Sequence, residues 1–434
     1  MKKREPCWAT ALVLGLFAAS VLATTSCEQD AIFSIISGEV APQPPLIEGG
    51  PTQMIVFDWP TPDGTGNDAV RPVMFVASGG LFWYAPERRD DVTREWDNTT
   101  ARWRPDIGIT QPPGRIIDIA ATQRFLYALT GDGINNTLRR TNSGMNGVWE
   151  VVGGPSGSMQ SIFADGERLF AGIRTGSIGN IALYGIYSVH DGAGALAEVE
   201  VTVPEGVTNT RLLTGAVRDG TNYFLSTSGG SFRFDGTTAI QLRNASAAPD
   251  EEGEQPFFTG SIVGMIRLPD NSIIAVGRGG SLHMVSDNSL ALIPRTNADG
   301  PIPDQWMNTG RFATGALAIW EGHIEGEEGR KVLAVGVQES LTTTTFRNGY
   351  VEFTLHLNGS LNTGDPPRVD NLASVQGEHD QYRTSLRREP INHLFQAPRE
   401  IDYYMTFFAS TQTAGLWSFR DRPGEGGWQW NAEN

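Results

Sequence analysis

Side chains able to do acid–base work, to hold an anion or to accept an acyl group are scattered along the 434 residues. Carboxylates stand beside apolar runs at Asp118, Asp165, Asp219, Glu400 and Asp402. Glycoside hydrolysis needs two such groups facing each other across a cleft, and no spacing here singles out a pair. Arg115, Arg211, Arg278 and Arg311 recur near the edges of apolar runs. Converging at one mouth, they would hold a ligand carboxylate through bidentate hydrogen bonds; taken singly they read as surface salt-bridge partners. The six histidines (His190, His283, His323, His356, His379 and His393) show no metal-ligand spacing and no His-Glu-x-x-His. His283 alternates with Leu282 and Met284, so it faces the other side of a strand. There is no Gly-x-Ser-x-Gly elbow and no phosphate-binding loop; Ser228-Gly229-Gly230 and Gly277-Arg278-Gly279-Gly280 read as hairpin turns. Asp132 to Asn136 and Asn297 to Gly300 lack the oxygen count of a calcium loop. The sequence therefore assigns no catalytic residue, no cofactor and no metal site.

The thiols are more informative. There are two, Cys7 and Cys27. Lys2, Lys3 and Arg4 precede an uncharged apolar stretch, Trp8 to Ala23, and then the small residues Thr24, Thr25 and Ser26. That order is a secretory signal, residues 1–26, with a cut before Cys27; the apolar stretch is short for a spanning helix. Removal of the leader leaves Cys27 as the sole cysteine, so no disulfide forms within the chain. The charges before Cys27 (Lys2, Lys3, Arg4 and Glu5) sum to +2, so the net −16 becomes −18. This acidity disfavours non-specific binding to nucleic acid or anionic lipid.

A cysteine directly after small residues resembles the bacterial lipobox, although Thr24 occupies a position where that pattern prefers an apolar residue. The resemblance implies acylation of the Cys27 thiol, cleavage, further acylation of the freed amine, and a membrane-held protein of the bacterial cell envelope. Two or three acyl chains anchor stably where one is marginal. Residues 27–52, with Pro42, Pro44, Pro45, Gly49, Gly50 and Pro51, read as a tether.

From residue 53 to 434 one unit recurs: an apolar strand, a polar turn, a second apolar strand ending in a small residue, a Gly-rich hairpin and an alternating third strand. The small residues Ala77, Ala128, Ala171, Ser226, Ala275, Ala334 and Ala409 serve as a ruler, with steps of 51, 43, 55, 49, 59 and 75 residues. Period and content predict an all-β fold, a β-propeller of four-stranded antiparallel sheets; seven copies point to seven blades, and the long last step leaves six or eight open. The last step carries a polar insertion at about 358–390. Small residues on the second strand are expected to allow close approach at the axis. Asp165-Gly166, Asp219-Gly220 and Asp270-Asn271 are expected hairpin turns. Met54 to Trp59 and Gly427 to Trp430 are available to pair and close the ring. The acidic run Asp250 to Glu254 reads as a solvated loop.

Turns such as Asn142 to Trp149 faintly resemble the Asp-box of sialidase-like propellers, without its Asp. Lipid plus propeller also resembles the scaffold lipoprotein of the outer-membrane assembly machine. Three readings follow: a non-catalytic binding or scaffold module, monomeric, for a protein or glycan partner; a glycan-active hydrolase or lyase; and an assembly-machine subunit.

Overall fold

The second strand of each repeat decides the architecture, because its central run is apolar and buried. Every residue of Ile273–Gly277 is buried. Successive side chains of a strand point to opposite faces, so such a run needs cover on both. In the computed structural model neighbouring sheets supply it: Ile273 and Ala275 belong to one hydrophobic cluster, Ile274 and Val276 to the next. The structure describes residues 47 and 49–433, apart from 63–67, 86–101, 106–108, 133–134, 156, 179–180, 203–211, 295, 298–299, 302–310, 322–329, 340–348, 365–389, 403–404 and 423–426. The leader, Cys27, most of the expected tether, Arg211, His323, His379 and most of the insertion lie outside the described residues.

The fold is a β-propeller. The described residues form seven sheets in succession, plus a small ribbon pairing Thr296–Asn297 with Gly300–Pro301. The first strand of each, here the inner strand, is Ile55–Pro62, Ile116–Ala121, Ser158–Asp165, Leu213–Asp219, Ile262–Arg267, Arg311–Glu321 and Ile391–Gln396 in blades 1 to 7. Successive inner strands pack on one another. The second strands are Asp68–Ser78, Leu126–Thr130, Arg168–Ile178, Asn222–Thr227, Ile273–Gly277, Lys331–Glu339 and Phe407–Thr411. All seven ruler residues lie on them, fully buried.

The core has no single centre. It consists of seven hydrophobic clusters, one for each pair of adjacent blades, and the seventh joins blade 7 to blade 1. The largest rings sit there: Trp320 of blade 6 stacks on Phe407 of blade 7, 4.5 Å apart and nearly parallel. The small ruler residues work between blades, not at the axis. Glycines of the inner strands, Gly215, Gly264 and Gly315, take the axial role. A Cβ on Gly264 would stand 2.9 Å from Leu317, and one on Gly315 would stand 3.0 Å from the Val263 carbonyl oxygen.

Not every blade has four strands. Blade 6 has three among the described residues, and blades 4 and 5 gain a fifth. Glu200–Thr202, leaving blade 3, pairs in parallel with the outer strand Thr238–Gln241 of blade 4. Arg243–Asn244, leaving blade 4, does the same on Ser289–Leu292 of blade 5. The chain thus straps each of these blades to the next at the rim.

Closure differs from the sequence expectation. Ile55–Pro62 and Gly427–Ala432 lie in separate sheets. The seam is made instead by residues 47 and 49–52, from the last part of the expected tether. The carbonyls of Ile47 and Gly49 accept from Leu416 and Gly415, Ser410 donates to Pro51, and the Thr52 N–H donates to Ala77. Gly50 allows this approach, since a Cβ there would lie 2.6 Å from the Gln412 carbonyl oxygen.

The inner strands carry a belt of polar links from blade to blade. Gln53 donates to the Ile119 carbonyl, Ser161 to Leu213 (2.9 Å), Thr214 to Ile262 (2.8 Å) and Thr314 to Ile391 (3.1 Å). Asp118 joins the belt in reverse, accepting from the Ile162 N–H of blade 3. Between blades 5 and 6 the corresponding residues are Val263 and Gly264, which have no side-chain polar group to offer.

Candidate functional site

All inner strands run the same way, so each blade has an upper face, where they begin, and a lower face, where they end. The lower face carries the hairpins from first to second strand. Asn271 adopts φ 71° and Gly166 φ 62° at the turn positions expected from the sequence, a backbone region that asparagine and glycine tolerate.

Four of the five candidate carboxylates lie on this lower face, each at or just after the end of an inner strand. Asp165 accepts from the Arg218 N–H at 2.7 Å, across to blade 4. Asp219 pairs with Arg267 of blade 5 at 3.3 Å. Asp402, 1 % exposed, accepts from the Thr406 N–H within its own turn. Glu400 is exposed beside it. A carboxylate the sequence reading missed, Asp191, accepts from the Thr122 hydroxyl at 2.5 Å and the Arg124 N–H at 3.2 Å, and burial raises its pKa. Asp165, Asp219, Asp402 and Asp191 therefore pin turns or hold neighbouring blades together, and the structure sets no two of the five candidates across a cleft. A cavity of about 430 Å³ opens here, lined by Asp58, Asp165 and Arg218 among others.

Asp118 is the exception in position. It lies midway along the inner strand of blade 2, half-buried and enclosed by the ring. That enclosure raises its pKa from the ordinary carboxylate range to about 7, against the opposing pull of the Ile119 and Ile162 N–H groups. His393, likewise on an inner strand, lines the channel from blade 7 and is pushed down to about 4 by burial. His283 is buried with its ring edge-on to Phe258, 5.1 Å away, and bonded to Ser281. It faces away from Leu282, as the alternation predicts. His190 pairs with Glu167 at the surface and His356 lies in an exposed turn. The acidic run is an exposed turn in which Asp250 accepts from the Glu252 and Glu254 N–H groups.

The upper face is chemically different. Its cavity, about 590 Å³, lies over blades 4 to 7 and is lined by Ser228, Arg278, Phe312, Gln338, Asn392 and Gln412, with apolar main-chain stretches between them. Thr214 and Gly315 line both this cavity and the axial channel, a further 250 Å³ or so. None of the described lining residues of the upper cavity is a carboxylate, an imidazole or a thiol.

One backbone position recurs around this mouth. In four blades the hairpin after the second strand donates an N–H to the start of its own inner strand: Gly131 to Arg115, Ser228 to Leu212, Arg278 to Ser261 and Gln412 to Pro390, all at 2.9–3.0 Å. The side chains there differ: none in blade 2, then hydroxyl, guanidinium and amide in blades 4, 5 and 7. The Arg278 guanidinium lies over the Phe312 ring, 5.0 Å from its centre. That is a cation–π contact with an aromatic of the next blade.

Of the four arginines expected to converge, Arg278 is placed in the cavity wall, while Arg211 and the side chain of Arg311 lie outside the described residues. Arg115 immediately precedes the inner strand of blade 2, exposed and outside that wall. Arg311 opens the inner strand of blade 6. The Asn142–Trp149 turn proves structural: it buries Trp149 against blade 1, and the indole N–H donates to the Thr110 carbonyl at 2.6 Å.

No family model matches the chain, and no curated protein matches it. Among solved structures it is similar to an ancestral GH74 enzyme at 12% identity and TM-score 0.48, covering 90% of this chain and 47% of that one. It is also similar to YCF48 bound to D1 peptide, at 10% identity and TM-score 0.44, covering 86% and 92%. A third is the WD40 β-propeller domain of Doa1, at 10% identity and TM-score 0.42, covering 85% and 92%. At such distances no activity or partner of those proteins transfers to this chain.

Proposed function

We propose that this protein is a non-catalytic binding module of the bacterial cell envelope, tethered by acyl chains on Cys27 and receiving a protein or glycan partner at its upper face. The observation that carries the reading is the asymmetry of engagement. On the lower face Asp165, Asp219, Asp402 and Asp191 are tied into turns and blade contacts, whereas the upper cavity is ringed by polar side chains and one cation over an aromatic ring. Preformed concave sites with a few convergent polar groups are where ligands bind. The seam supports the tether: Ile47 and Gly49 meet blade 7 at its hairpin before Leu416, on the upper face. Residues 28–46 reach at most about 65 Å from there when fully extended.

Two measurements test the reading. An alkynyl fatty acid fed to producing cells is expected to label the wild-type protein and not Cys27→Ala; an unlabelled wild type contradicts the anchor. A photo-cross-linking residue at Gln412 is expected to capture the partner in intact envelopes, and one at Glu400 to capture none. Capture from Glu400 alone contradicts the choice of face.

A further inference from the structure

We propose that the upper cavity holds the acidic terminal sugar of a glycan, with the sugar carboxylate on Arg278 and its hydroxyls on the surrounding amides. The inference rests on the upper face being the binding face, and it names the chemistry of what binds there.

The anionic part of the argument begins with Arg278. Its guanidinium is exposed, lies over Phe312 and has no carboxylate partner among the described residues. A guanidinium presents five N–H donors in a planar fork, and a face resting on an aromatic ring leaves those edge donors for a ligand. The structurally equivalent hairpin positions of blades 2, 4 and 7 carry Gly131, Ser228 and Gln412, so the backbone does not demand arginine there. In a chain of net charge −16, a cationic group in a cavity wall that holds no carboxylate among the described residues is a local reversal of sign. It attracts an anion that the rest of the surface repels.

The hydroxylated part follows from the neighbours. Asn392 directs its amide N–H toward the Thr411 carbonyl at 3.4 Å, which leaves its side-chain oxygen as an acceptor. Ser228 accepts from the Leu212 N–H at 3.0 Å, which leaves its own O–H to donate. Gln338 and Gln412 add two further amides to the wall. Amides offer donor and acceptor side by side, the pattern that adjacent hydroxyls of a sugar ring satisfy. A peptide C-terminus would match the same cation, and the titration below separates it from a sugar acid. The volume, about 590 Å³, lies within the range of small-ligand sites.

Calorimetric titration of the full chain with an oligosaccharide ending in glucuronic acid tests this. The glucose-ended counterpart and a tripeptide with a free C-terminal carboxylate serve as comparisons. The acidic sugar is expected to bind, its neutral counterpart at least about tenfold more weakly, as for a lost charge-assisted hydrogen bond. Arg278→Ala is expected to remove that difference and Arg278→Lys to restore part of it. Equal binding of the two sugars, or binding of the peptide in preference to both, overturns the proposal. Absence of sugar binding while Gln412 still cross-links a partner overturns the proposal and leaves the face assignment standing.

Discussion

The two faces of the ring hold charged groups and use them differently. On the lower face Asp165, Asp219 and Asp191 each reach a main-chain N–H, a hydroxyl or an arginine of the adjoining blade. On the upper face Arg278 reaches an aromatic ring and no carboxylate among the described residues. The difference follows from where strands end. First-to-second hairpins are short, so a carboxylate at the end of an inner strand lies within reach of the next blade's backbone. At the top, main-chain bonds such as Ala313 N–H to Arg278 and Ile116 N–H to Gly79 already join adjacent blades. Side chains at those hairpins are thereby released from structural duty.

The largest expected effect belongs to neither face and sets the scale for both. Trp320→Ala, between blades 6 and 7, should lower stability by about 4 kcal/mol in urea denaturation, the cost of a large cavity in a packed core. It also removes the indole N–H that donates to the Glu352 carboxylate at 2.9 Å. A loss below about 1 kcal/mol would mean that the interblade clusters do not carry the fold. Thr214→Val, which removes one belt bond and leaves the Ile262 carbonyl without it, should cost about 1–2 kcal/mol. No change would show the belt to be incidental.

The channel between the faces yields a pH test with opposed signs. Asp118 has its folded pKa raised to about 7, so between about pH 4 and 7 the folded chain binds more protons than the unfolded one. Its contribution therefore falls as pH rises through that window. His393 has its folded pKa lowered to about 4, so between about pH 4 and 6.5 the unfolded chain binds more protons. Its contribution rises with pH there. Relative to wild type, Asp118→Asn should make stability climb more steeply from pH 4 to 6.5, and His393→Gln should make it fall. Parallel profiles for all three proteins would place both groups in contact with bulk water.

Much of the ring is legible in the sequence because its second strands are buried on both faces. That condition writes continuous apolar runs, and a small residue in each marks the repeat, from Ala77 to Ala409. The turn residues are equally readable: Gly166 and Asn271 stand where positive φ is required. Closure is not readable, because residues 47 and 49–52 join blade 7 chiefly through main-chain groups and Pro51 and Gly50 look like linker. The site is half readable. Arg278 is one of four arginines noticed, but its equivalence to Gly131, Ser228 and Gln412 depends on backbone pairing, which composition does not encode. Asp191 leaves no mark in the sequence, since its partners Thr122 and Arg124 are in another blade.

A paired denaturation experiment tests the division between the faces most directly. Asp191→Ala leaves the Thr122 hydroxyl and Arg124 N–H without their acceptor and should lose about 2 kcal/mol. Arg278→Ala, measured alongside, should stay within about 0.5 kcal/mol of wild type. If Arg278→Ala destabilises the ring as much as Asp191→Ala does, Arg278 is a structural residue and the upper face has no cation held free for a ligand.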